Sequence, residues 1–350
     1  MHPYHFRGLV LASLAALAGC VSNPIDVQPV VPVPSARGVY VLNEGTFGRA
    51  NASLTYYDLE TRQVIPDVFS AVNGRSLGDV ANSMKSHQGL LYLVINNSHK
   101  IEVIDPATHA SVRTIAVGSG SSPRQIAFFD DSLALVTNLY DASVSVLHVA
   151  RGEVIGRIPV GPNPEGIAIT GGRAYVANSG LGSGRTMTVI DLANRTALMS
   201  VTVGDNPVGV SITPSGAVYV VCGGFYGDFS DPSDDTPATI AVVDPATAAV
   251  IDSITIGGHA YAIAIHDAGL GYVATTDSIV TVDTRVHRRI GTFQRGQYYS
   301  VGVESVSGDV YASDARDFLQ AGTVYIFSAE GDLRTSFEAG VIPGSYAFRR

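Results

Sequence analysis

The chain has 350 residues, of which 15% are charged and 46% hydrophobic, with 37 Gly, no Trp and a formal net charge of −9. This is the composition of a globular protein built from many short strands and tight turns, and it excludes a disordered chain. The acidic balance and the lack of Lys/Arg clusters argue against nucleic acid as a partner.

The N-terminus carries Arg7, an uncharged apolar run from Gly8 to Leu17, and then Leu17-Ala18-Gly19-Cys20. The run suits a secretory signal peptide rather than a membrane span. Its ending is similar to a bacterial lipobox, so residues 1–19 are expected to be removed and Cys20 to become the lipidated N-terminus. Val21 to Ala36 holds four prolines and no periodicity, the pattern of an extended tether. The folded domain is expected over 38–350. With Cys20 lipidated, Cys222 is left as a lone core thiol, without a disulfide or a Cys-based metal site.

From Gly38 onward one unit recurs. Its clearest copy, Asn163 to Gly204, reads as four short apolar runs joined by turns, the content of one four-stranded antiparallel propeller blade. Second strands are predicted at Gly38–Asn43, Leu91–Asn96, Leu133–Asn138, Ala174–Asn178, Val218–Cys222, Gly271–Thr275 and Val310–Ser313. Third strands follow at Ser53–Asp58, Lys100–Asp105, Ser143–His148, Met187–Asp191, Thr239–Asp244, Ile279–Asp283 and Thr323–Ser328. Seven copies predict an all-β, seven-bladed β-propeller. The domain starts on a second strand and ends on Gly344–Arg350, which matches a first strand. The C-terminal strand is therefore expected to join the N-terminal blade and close the ring.

Alternating strand direction sorts the loops onto two faces. One carries short turns such as Asp105-Pro-Ala-Thr108 and Asp244-Pro-Ala-Thr247, in which Asp caps its own turn. The other gathers aromatic, Arg, His and Asn side chains, and its candidate ligand-binding residues are Phe47, Arg49, Asn97, His99, Arg124, Tyr140, Phe225, Tyr226, Phe229, His259, Tyr261, Tyr298, Tyr299, Arg316, Phe318 and Tyr346. Asn43, Asn96, Asn138 and Asn178, at second-strand ends, are read as closing backbone hydrogen bonds. Asp228, Asp231, Asp234 and Asp235 lack a recognised Ca²⁺ spacing and are read as a solvated acidic loop. No Ser-His-Asp order, nucleotide loop or zinc motif occurs, so no catalytic residue is assigned.

The repeats resemble YVTN-type surface propellers. Leu42-Asn-Glu-Gly45, Asn51 to Asp58, Leu77 to Met84, Val94 to His99, Ser122-Pro-Arg124, Tyr298-Tyr299, Val310 to Asp314 and Gly340 to Gly344 are more specifically similar to the BtuG-like family of corrinoid-binding surface lipoproteins. The resemblance implies an outer-membrane, lipid-anchored propeller with no cofactor of its own. It would bind cobalamin or related cobamides as ligand and pass them to a TonB-dependent transporter of BtuB type. A cell-surface scaffold without a small ligand is the alternative, and a propeller enzyme such as a lactonase or lyase comes third.

Overall fold

The computed structural model describes residues 35–227 and 232–350. The signal peptide, Cys20 and most of the tether lie outside these residues, as do Asp228, Phe229 and Asp231. The described residues form seven four-stranded antiparallel sheets, the blades of a β-propeller. Blade 1 has the order Pro343–Arg349, Gly38–Asn43, Ser53–Asp58, Val64–Ile65, so the last strand of the chain is the first of the first blade. Blades 2 to 7 are each continuous in sequence and open on Ala81–His87, Pro123–Phe128, Pro164–Thr170, Pro207–Ile212, Ala260–His266 and Ser300–Val303. These first strands, with Pro343–Arg349, form the inner ring.

Burial follows position in the blade. Second strands such as Gly38–Asn43 are buried at every residue, because a neighbouring blade covers each sheet face. Outer strands such as Val250–Thr255 are largely exposed. Tyr40, Tyr175 and Tyr219, all within 1% of complete burial, fill the spaces between blades. Their hydroxyls reach the outer turn of the following blade: Tyr40 donates to the Pro106 carbonyl at 2.6 Å, Tyr175 to that of Pro245 at 2.9 Å, and Tyr219 meets His287 Nδ1 at 2.7 Å. Each ring thus adds apolar area and a satisfied polar tip to an interface between blades. Cys222 is fully buried, and burial pushes its thiol up to about 12, which makes it an inert core residue.

One element is absent from the repeat reading. The fourth strand of blade 1 is only Val64–Ile65, and a short helix, Val68–Asn73, follows it. Pro66 cannot donate to a ladder, and Asp67 caps the helix by accepting from Ser70 N at 3.3 Å. The helix buries Val68 and Phe69 against blade 1. Among the described residues no helix is long and apolar enough to cross a membrane.

Candidate functional site: the axial mouth

The site is generated by a repeated irregularity. Six of the seven described inner strands begin with a register shift against the second strand. Ala81 pairs with Ile95 and Ser83 with Val94, so Asn82 is skipped; Tyr261, Val208 and Gly344 are skipped in the same way. In blades 3 and 4 the shift takes up Arg124-Gln125 and Glu165-Gly166. A β-bulge turns its extra side chain out of the ladder, here into the axial lumen. Just before these strands Val80, Ser122, Asn163, Asn206 and Ile342 all have φ between 49° and 55°, which swings the chain inward.

The result is a funnel of about 240 Å³ to which all seven blades contribute. Its floor is charged. Tyr299 Oη donates to Glu44 Oε1 at 2.8 Å, and Asn82 Nδ2 to Glu44 Oε2 at 3.3 Å. Arg124 Nε donates to Glu165 Oε2 at 2.5 Å. Protein encloses these groups on most sides, but their lumen side stays open: the Arg124 side chain is 28% exposed and that of Glu165 15%. Burial pushes the Glu44 carboxyl up, Arg124 and the Tyr299 hydroxyl pull it back, Glu165 adds to the rise, and the outcome is about 7. Burial and the neighbouring Glu44 raise Tyr299 well above the usual phenol range. Gly344 keeps this space clear, since a Cβ there would come within 2.7 Å of Glu44 Oε1 and displace its carboxyl.

Above the floor an aromatic arc runs over blades 5 to 7. Tyr226 stacks on His259 with centroids 3.5 Å apart, and its hydroxyl meets that of Tyr261. Tyr261 lies 6.0 Å from Tyr299, whose ring takes the edge of Phe318 at 5.6 Å. The arc continues into a side cleft of about 260 Å³ that includes Thr276, Gln297 and Arg316. Below the floor the lumen opens into a channel of about 560 Å³ walled by Ile126, Ile167, Val210, Ile212 and Ile263, with Lys85 among them.

The structure brings Arg124, Tyr226, His259, Tyr261 and Tyr299 together at the funnel, with Arg316 and Phe318 beside them. Phe225 is exposed next to Tyr226. Phe47, Arg49 and Tyr140 are exposed on other loops outside the funnel lining. Asn97 donates to Asp79 at 2.6 Å, and His99 Nδ1 accepts from Ser122 N at 3.1 Å, so both brace loops. Tyr298 packs edge-on against Tyr325 and Phe327 with 8% exposure, one edge of it reaching the side cleft. Tyr346 wedges between blades 1 and 7, where burial pushes its hydroxyl up to about 12. The strand-end Asn residues are structural, but the backbone reading holds at Asn96, which donates to the Pro123 carbonyl, whereas Asn43, Asn138 and Asn178 bond chiefly to third-strand hydroxyls. Among the described residues no group of three or more His, Cys, Asp or Glu is placed to hold a metal ion.

Glu44, Asn82, Gln125, Glu165 and Asn206 were not among the sequence candidates, yet all line the funnel. The signal was present in part: aligned on the inner strands, Pro-Arg-Gln-Ile-Ala, Pro-Glu-Gly-Ile-Ala, Pro-Val-Gly-Val-Ser and Ala-Tyr-Ala-Ile-Ala keep a constant frame around one variable residue. That residue lies at the bulge.

A family model described as a domain of unknown function, DUF5074, matches residues 37–224, more than half of the chain. No curated protein sequence matches. Among solved structures, the chain is similar to hydrazine synthase of Kuenenia stuttgartiensis, with 18% identity, a TM-score of 0.64, and coverage of 76% of this chain and 88% of the other. It is also similar to a quinonprotein alcohol dehydrogenase-like protein of Bacteroides thetaiotaomicron, with 12% identity, a TM-score of 0.69, and coverage of 90% and 79%. At these identities the likeness is one of fold.

Proposed function

The chain belongs to the DUF5074 family, and we propose that this member is a surface lipoprotein of the outer membrane that binds cobalamin or a related cobamide at its axial mouth. The observation that carries the reading is the aromatic arc Tyr226–His259–Tyr261–Tyr299–Phe318 set beside the lumen amides of Asn82, Gln125 and Asn206. A corrin is a broad, partly apolar disc fringed with amides. It needs flat rings for its faces and hydrogen-bonding side chains for its rim. His259 serves as one of the flat faces: Tyr226 covers its ring, and its Nε2 lies 3.4 Å from Asp235.

The role is binding rather than catalysis, with the corrinoid as ligand and cargo. Anchoring follows from Cys20 at the end of the apolar N-terminal run, and several acyl chains would hold the protein stably, at about 0.8 kcal/mol for each buried CH₂. Delivery to a TonB-dependent transporter of BtuB type completes the proposal.

Titration with cyanocobalamin tests it. The chain has 16 Tyr and no Trp, and its arc is rich in Tyr, so ligand at the mouth should quench tyrosine emission in step with calorimetric heat. The expected result is saturable one-to-one binding. No binding at micromolar ligand retires the corrinoid reading in favour of a surface scaffold.

A further inference from the structure

The funnel floor is more discriminating than an aromatic platform requires. Arg124 uses Nε for Glu165, while neither of its Nη nitrogens has an acceptor among the described residues. With its side chain 28% exposed toward the lumen, the guanidinium offers its outer edge to whatever enters. A free Arg fork ordinarily selects carboxylate or phosphate, because two parallel N–H bonds match an anion's two oxygens. This one is flanked by two carboxyl groups, Glu165 in direct contact and Glu44 close enough to act on its charge. Glu165 cancels the guanidinium, and any charge on Glu44 takes the floor below neutrality. An arriving anion would gain the fork but face both carboxyl groups in a partly desolvated space. An arriving ammonium would face Arg124. A neutral, strongly dipolar group meets neither penalty.

We propose that the floor is a carboxamide subsite, in which the Arg124 Nη edge binds the carbonyl oxygen of one amide arm of the ligand while Glu44 and Glu165 exclude the corresponding acid. The subsite rests on the corrinoid reading and deepens it, since such a ligand is distinguished from its hydrolysis products by amides against carboxylates. Gln125, next to Arg124 in the chain and with an Nε2 that has no acceptor among the described residues, and Asn206, two blades on, line the same funnel and can pair with the rest of the arm. Arg124 and Glu165 have distinct parts: the first binds, the second sets the sign of the site.

The experiment compares cyanocobalamin, its side-chain monocarboxylic acids and dicyanocobinamide on the wild-type protein and on Arg124→Gln and Glu165→Gln, with the melting curve of each variant as a check on folding. The wild type should bind cyanocobalamin at least about tenfold more tightly than one of the monoacids, as expected when a site loses a matched hydrogen-bonding group. Arg124→Gln should weaken cyanocobalamin by about tenfold and weaken dicyanocobinamide equally, since that ligand keeps the amide arms but lacks the phosphodiester. Glu165→Gln leaves the guanidinium uncompensated and should shrink or invert the preference for amide over acid, an effect that general loss of structure does not produce. Equal affinity for all monoacids and cyanocobalamin in the wild type overturns the subsite. So does an Arg124 effect confined to the phosphodiester-bearing ligand, which would make the fork a phosphate contact. If the wild type binds no corrinoid at all, the corrinoid reading falls and the subsite with it, whereas binding without discrimination removes the subsite alone.

Discussion

Glu44 shows how much one side chain at a lumen can cost. Its carboxyl is held near 7, above its ordinary 4.5, first by burial and further by Glu165, against the pull of Arg124 and Tyr299. Because the folded state keeps this proton more tightly than the unfolded chain does, the contribution to stability is complete below about 4.5 and is lost as pH rises toward 7. At about 1.4 kcal/mol for each pH unit, the loss reaches at most about 3 kcal/mol. Glu44→Gln removes the titration and keeps an acceptor for Tyr299. Asn82, whose Oδ1 has no partner, can turn its amide to accept from the new one. The variant should therefore melt above the wild type at pH 8 and with it at pH 4.5. A difference that is the same at both pH values would contradict this account. Val80 illustrates a second local cost. It adopts φ 55°, a left-handed conformation that a β-branched residue resists, while Asn163 and Asn206 hold the same place in blades 4 and 5 at 49° and 53°. Val80→Asn should stabilise the protein by about 1 kcal/mol, read as a rise in the thermal midpoint; a fall would show that the Val side chain is needed for packing.

At the scale of the strand, the blade was legible because its signals are local. Val and Tyr alternation marks second strands such as Ala174–Asn178, and Asp-Pro-Ala-Thr marks the outer turns, where Asp105 accepts from Ala107 N at 2.7 Å as its position in the turn requires. The bulges were not legible as such, because a skipped residue such as Asn82 or Glu165 looks like any polar residue at the start of a strand; only the register against the second strand sends it into the lumen. For the same reason Tyr298 and Tyr299 could not be told apart in sequence, although one packs into a blade and the other donates to Glu44. His99 carries a structural bond that its sequence position does not announce: it lies on the loop-rich face, and its Nδ1 holds the backbone of Ser122. The helix Val68–Asn73 escaped because a repeat template has no place for an insertion that replaces most of a strand.

At the scale of the molecule, closure decides whether seven similar units behave as one. Stacked repeats are ordinarily coupled to their neighbours alone, so their stability adds up along the chain. Here Pro343–Arg349 pairs along the whole of Gly38–Asn43, so the two ends of the described chain share the sheet of blade 1 although these strands lie some three hundred residues apart in sequence. Phe348 and Tyr346 pack on Tyr311 of blade 7 with centroids 5.0 and 6.1 Å apart, and Arg350 Nη2 reaches Glu304 at 2.7 Å. Val39, Tyr40 and Val41, each at most 1% exposed, depend on that strand for part of their cover. Burial of a single such side chain is worth about 1.5–3 kcal/mol, and the lost strand would also leave Gly38–Asn43 as an open edge. Removal of 343–350 should therefore lower the thermal midpoint by more than about 10 °C and turn one sharp transition into a broad or stepwise one. Arg350→Ala, which removes only a half-exposed ion pair, should cost no more than about 1 kcal/mol. The same deletion removes Gly344 from the funnel wall, so the corrinoid affinity proposed above should fall even at temperatures where the truncated chain stays folded. A truncated protein that melts as sharply and as high as the intact one would mean that the ring does not depend on its closing strand.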